Sequence, residues 1–284
     1  MNRLIKAEIF KLMKNKAFKV LCMICVIFAF ISIFSISDTM NNLMKESMSN
    51  IPEEVQAMAQ TSEANGSIVT PGRIGFNMPR GNSPLDVYYV SFGVGIIEIL
   101  IGVLVGGFLA KEYSEGTMKN ILAYGKSRTK FYLSKFIAMV VGVSIFTLII
   151  TLISFIGTGF INGFGDIVLA DVGKMAMTFL ASIMASSAVI ALIMIISSLV
   201  KGNGATIGIT VVLFVLIPTI ISIFYGTYPT FDSIYEMTPY YNNALATSQN
   251  AETSDLIRSI GISLVTMGLS LGIGTKIFDK QDIK

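Results

Sequence analysis

The chain has 284 residues, 53% of them hydrophobic and only 14% charged, with a mean hydropathy of +0.70 and a formal net charge of +3. Soluble domains carry nearer a quarter charged residues, so this balance places the chain in lipid and leaves no room for a separate soluble catalytic domain. Histidine is absent, which excludes imidazole as a general base or metal ligand. Nothing points to a metal centre, a cofactor held by this chain or a nucleic-acid partner.

The expected architecture is an all-α membrane protein forming one transmembrane domain over residues 1–284. Residues 1–16 read as a basic helix lying in the membrane interface. Ile5, Ile9, Leu12 and Met13 follow one helical face, while Arg3, Lys11 and Lys14 project from the other beside Glu8. The first apolar run, 17–37, is expected to span the bilayer, since about 20 apolar residues cross its core. It contains the only cysteines, Cys22 and Cys25, which a lipid setting makes poor candidates for a disulfide, redox or zinc site. No cleavage signal follows, so the run is expected to be retained. Residues 38–86 are polar and rich in proline and glycine, an extracytoplasmic segment that reads mostly as loop.

The second span is expected over 87–110. Glu98 sits midway along it among isoleucines and leucines. A carboxylate there is costly and marks a candidate site on a substrate pathway, or else an interhelical hydrogen bond. Residues 111–130 form a basic loop. Gly116 reads as a turn, followed by a short helix with Met118, Ile121 and Leu122 on one face, suited to docking in a partner's groove. Further spans are expected over 131–157, 172–200, 205–225 and 255–275, the first two of these long enough to tilt or protrude. Between the last two, residues 226–254 carry Tyr235, Tyr240 and Tyr241 with Pro229 and Pro239. That stretch is too aromatic for a solvated loop and too polar to span, so a re-entrant or interfacial pair of short helices is expected. Its tyrosines join Glu98 as pathway candidates.

Of the 21 lysines and arginines, sixteen fall on the side of the termini and the 111–130 loop, and five on the other. The asymmetry sets the basic side in the cytoplasm, with both termini inside. Two enzyme-like fragments fail. Gly125-Lys126-Ser127 lacks the glycine and preceding strand of a phosphate loop. Gly163-Phe164-Gly165-Asp166 has no second intramembrane aspartate to form a protease dyad. Glycine pairs at helix-packing spacing occur at Gly102 and Gly106, Gly204 and Gly208, and Gly268 and Gly272.

The segment Lys111-Glu112-Tyr113-Ser114-Glu115-Gly116-Thr117-Met118-Lys119-Asn120-Ile121-Leu122, continuing through Ser127-Arg128 to Lys135, resembles the signature of type-2 ABC exporter permeases. Within that class the chain looks most like single-domain Gram-positive permeases that export or give resistance to peptide antibiotics. The resemblance implies a coupling helix in this loop, with Glu112, Glu115, Gly116, Thr117, Leu122 and Arg128 at motif positions beside the apolar Met118 and Ile121. It implies ATP and Mg bound by separate ATP-binding cassette subunits, so the chain itself is not an enzyme. It also implies a second permease chain, identical or related, and a place in the bacterial cytoplasmic membrane. A hydrophobic or amphipathic substrate, such as a peptide, is expected. The competing readings are a proton-coupled secondary transporter using Glu98 and a non-transporting membrane sensor or anchor. The first is disfavoured because the two halves show no internal repeat.

Overall fold

A computed structural model describes residues 1–34, 83–92, 96–114, 116, 127–224, 228–249 and 251–281. Among these the chain is all-helical. Most of the outer segment 38–86 lies outside the described residues, as do the loop positions Glu115, Thr117, Met118, Ile121 and Leu122.

Helix α1 (Asn2–Lys14) ends at Asn15, whose extended backbone turns the chain into α2 (Lys16–Phe34). The Asn15 side-chain oxygen accepts the Ala17 N–H at 2.9 Å, supplying the cap that starts the second helix. The elbow is held from inside. Leu12 and Phe18 are buried, and both lie close to Gly142 of the third long apolar stretch. The helix is rotated from the expected wheel: Glu8 and Leu12 face inward, with Leu4 and Ile9 packed beside them, while Met13 is exposed. Glu8 turns in because a buried lysine waits there, described below.

The apolar run 87–110 is not one helix. A short helix α3 (Pro84–Val90) precedes α4 (Ile96–Val105), which continues through a π-helical turn at Gly106–Ala110 into α5 (Lys111–Ser114). Ser83 and Asp86 form a reciprocal capping box around Pro84 at the first helical position, so a helix starts there. The following Gly93-Val94-Gly95 lies outside the described residues.

Next come α6 (Arg128–Asn162) and α7 (Leu169–Val200), of 35 and 32 residues. At 1.5 Å per residue each reaches roughly 50 Å, well beyond a ~30 Å hydrocarbon core. Helix α8 (Asn203–Val211) passes through a second π-helical turn, Val212–Leu216, into α9 (Ile217–Phe224). Two short helices follow, α10 (Pro229–Tyr235) and α11 (Pro239–Ala246), and then α12 (Thr253–Lys280). Among the described residues four helices, α2, α6, α7 and α12, are long and apolar enough to cross a membrane. The protein is therefore a multi-pass membrane protein. Large apolar side chains such as Phe30 on α2 and Val265 on α12 lie exposed, as a lipid-facing surface requires.

Of the three glycine pairs, one packs inside the chain. A methyl group on Gly102 would stand 2.7 Å from Thr210, and one on Gly106 would stand 2.7 Å from the Asn203 side chain and 2.8 Å from Ile207. These two glycines let α4 and its π turn lie directly against α8. Gly204, Gly208, Gly268 and Gly272 have open space where a side chain would project.

Candidate functional site

Two groups of residues meet the ends of the 111–130 loop, and both are built from several helices. The first is a buried ionic cluster. Lys135, about two turns into α6, is fully buried. Its ammonium forms an ion pair with Glu8 of α1 at 2.6 Å and donates a hydrogen bond to Glu112 of α5 at 2.7 Å. Lys11 of α1 also pairs with Glu112. The Lys135 ammonium stands 4.0 Å from the centre of the Phe108 ring, whose face adds a cation–π contact. Two lysines and two glutamates balance, with Lys11 half-exposed at the edge, which is how an apolar interior tolerates the three buried charges.

The second group closes the other side. Gly116 adopts φ +66°, the left-handed conformation that ends a helix and that glycine takes without steric cost. Its N–H reaches back to the Tyr113 carbonyl at 3.2 Å. The Tyr113 hydroxyl donates to Ser198 at the end of α7, 3.2 Å away. Burial pushes this phenol up to about 12, so it stays protonated and donating at neutral pH. Gln281, just past α12, donates to the Ser198 carbonyl at 2.7 Å. Where the loop re-enters the bundle, the Arg128 guanidinium donates to the carbonyls of Asp279 and Gln281 at 3.0 and 2.6 Å. A cation there satisfies the open carbonyls at the α12 C-terminus and complements its dipole. Phe278 packs against Tyr113, Phe131 and Tyr132 beneath.

Thus Glu112, Gly116 and Arg128 among the expected loop residues are described, and all three are occupied within the chain. Glu112 in particular is buried. Sequence reasoning assigned Lys135 to the start of a span and Glu8 to a polar helix face, and missed that they pair. The signal was present: a lysine five residues into an apolar run needs a carboxylate.

At the opposite end Glu98 is buried on α4, 3% exposed. It lies near enough for its charge to act on the hydroxyls of Tyr235 and Tyr240. Tyr235 and Tyr241 meet edge to face with ring centres 5.6 Å apart. The four expected pathway residues therefore converge where α10 and α11 fold against the bundle. The Tyr240 hydroxyl and the Asn243 side-chain oxygen are buried there with no hydrogen-bond partner among the described residues. Neighbouring contacts hold this end. Lys174 donates to the Gln249 carbonyl at 2.7 Å, Tyr88 to the Met175 carbonyl at 2.8 Å, and Arg258 pairs with Glu236. Among the described residues no group of three acidic, histidine or cysteine side chains is placed to hold a metal.

A family model described as ABC-2 family transporter protein matches residues 74–225, more than half of the chain. The chain belongs to the ABC-2 transporter family. It is a permease component of an ABC transporter, the membrane part and not the catalytic one. No curated protein shows significant similarity to the chain. The matched region runs from before α3 to the end of α9, so it includes Glu98, the loop and Lys135. It leaves out α1, with Glu8 and Lys11, and the tyrosines of α10 and α11.

Proposed function

We propose that this ABC-2 permease works as an exporter subunit, with loop 111–130 as the element through which ATP-binding subunits on separate chains drive it. The observation that supports this reading is the mounting of the loop. One root, Glu112, is tied to α1 and α6 through Lys135, and the other, Arg128, is tied to the end of α12. A displacement of the loop therefore loads three helices together. Two permease chains, identical or related, would enclose the pathway, with the basic side and both termini in the cytoplasm of a bacterial cell. ATP binding would shift the permease equilibrium by its different affinity for the two states.

The substrate is hydrophobic or amphipathic, since the membrane-crossing helices keep their charged side chains near their ends, and a membrane-inserting peptide antibiotic fits that chemistry. Glu98 with Tyr235, Tyr240 and Tyr241 would form a polar station along the way.

The test is affinity purification of the full chain from its native membrane, scored for a co-purifying ATPase. Met118→Asp and Leu122→Asp, on the apolar face expected from the sequence, should remove that ATPase while leaving the permease folded. Retention of the ATPase by both variants would overturn the docking assignment. A chain that purifies alone and moves substrate down a proton gradient would favour the secondary-transporter reading. Glu98→Gln is expected to assemble normally and to lose most transport in reconstituted vesicles. Unchanged transport would remove Glu98 from the pathway.

A further inference from the structure

Between the first turn of α1 and the start of α6 lies a pocket of about 520 Å³, lined by Met1, Asn2, Arg3, Leu4, Ser127 and Lys130. Neither anchor of the loop uses it. Among the described residues its lining holds the side-chain cations Arg3 and Lys130 and no carboxylate. Arg3 and Lys130 form no ion pair among the described residues, whereas Lys11 and Lys135 are fully engaged nearby. Arg128 and Thr129, in the same turn as Lys130, are turned away onto Asp279 and Gln281. The Ser127 hydroxyl stands at the head of α6 and makes no capping bond, so it is free to donate into the pocket. No acidic residue occupies the first turn of α1 or of α6. The basic starts of the two helices thus leave a local excess of positive charge at one concave place.

The surroundings indicate what fills it. Helix α1 exposes Met1, Phe10 and Met13 while burying Glu8 and Leu12, the disposition of a helix that lies along a membrane surface with side chains dipping into it. A pocket at that level faces the phosphate layer of the bilayer. Guanidinium and ammonium groups both favour phosphate oxygens, the guanidinium through paired N–H donors. Basic pockets between helices at the membrane surface take anionic lipid headgroups. Leu4 and Met1 supply an apolar wall, which a lipid's glycerol and upper acyl chains can use and a free phosphate ion cannot.

We propose that this pocket binds the phosphate group of an anionic phospholipid, held by Arg3, Lys130 and the Ser127 hydroxyl. The assignment requires only that the chain sits in a membrane and is independent of how the ATPase docks.

The experiment is native mass spectrometry of the full chain released from detergent and titrated with phosphatidylglycerol. Phosphatidylcholine and inorganic phosphate form the other arms. One tightly retained phosphatidylglycerol per chain is expected, with phosphatidylcholine held more weakly. Arg3→Gln with Lys130→Gln should weaken retention roughly tenfold or more, since each surface cation contributes about 1 kcal/mol to anionic-lipid attraction. Arg3→Lys with Lys130→Arg should keep it, and Lys6→Gln with Lys19→Gln should leave it unchanged. Either single glutamine variant should show an intermediate loss, so the proposal stays testable if the double variant folds poorly. Equal retention by the wild type and the glutamine variants would overturn the site. Displacement of the lipid by millimolar inorganic phosphate would overturn the lipid as its occupant.

Discussion

Lys135 is the residue on which the basic end turns. It has no solvent exposure, and among the described residues it is the cation that Glu8 and Glu112 share. Removing one partner from such a group leaves an uncompensated buried charge, at a cost of about 3–5 kcal/mol. Lys135→Met is therefore expected to lower the thermal midpoint of the detergent-solubilised protein sharply. Glu112 would keep Lys11, but Glu8 would keep nothing among the described ion pairs. Glu8→Gln combined with Lys135→Met should recover part of the loss. A double-mutant cycle on thermal unfolding reads that coupling directly. Strict additivity of the two losses would show that Glu8 and Lys135 do not depend on one another.

At the scale of elements, the glycine pairs separate packing inside the chain from surfaces left outside it. Gly106→Ala would drive a methyl group onto Asn203 and Ile207, and overpacking of this kind costs about 1–3 kcal/mol. Gly272→Ala meets nothing within 4 Å and should be neutral or slightly stabilising through better helix propensity. Thermal unfolding of the two variants side by side checks the contrast; equal losses would mean that α4 and α8 do not approach as described. The same elements show what was legible beforehand. Long apolar stretches announce α2, α6, α7 and α12 because hydropathy over some twenty residues outweighs any local signal. The break in the second apolar run is a local event. The Ser83-Pro84-Leu85-Asp86 capping sequence marks where α3 starts, and hydropathy averages that signal away. The inward turn of Glu8 was hidden for another reason: a helical wheel assigns every charge to solvent. Only the tertiary contact with Lys135 reverses that assignment. Glu98 and the three tyrosines could be named singly as polar groups in apolar surroundings, but their convergence depends on how α10 and α11 fold back, which no local pattern states.

For the whole molecule, docking and transmission should be separable because they rest on different residues. The apolar triad of the loop would hold the ATPase, whereas Arg128 holds the loop to the end of α12. Arg128→Gln removes the cation from those carbonyls while leaving Met118, Ile121 and Leu122 untouched. The ATPase should then still co-purify and hydrolyse ATP, but transport per ATP should fall several-fold in vesicles, because loop motion no longer reaches α12. Arg128→Lys keeps the charge yet loses the paired geometry of the guanidinium, so an intermediate ratio is expected. Measuring hydrolysis and transport on the same vesicle preparation distinguishes this from simple loss of assembly. If transport and hydrolysis fell together by the same factor, Arg128 would belong to the docking surface, and the coupling path would run through Glu112 and Lys135 alone.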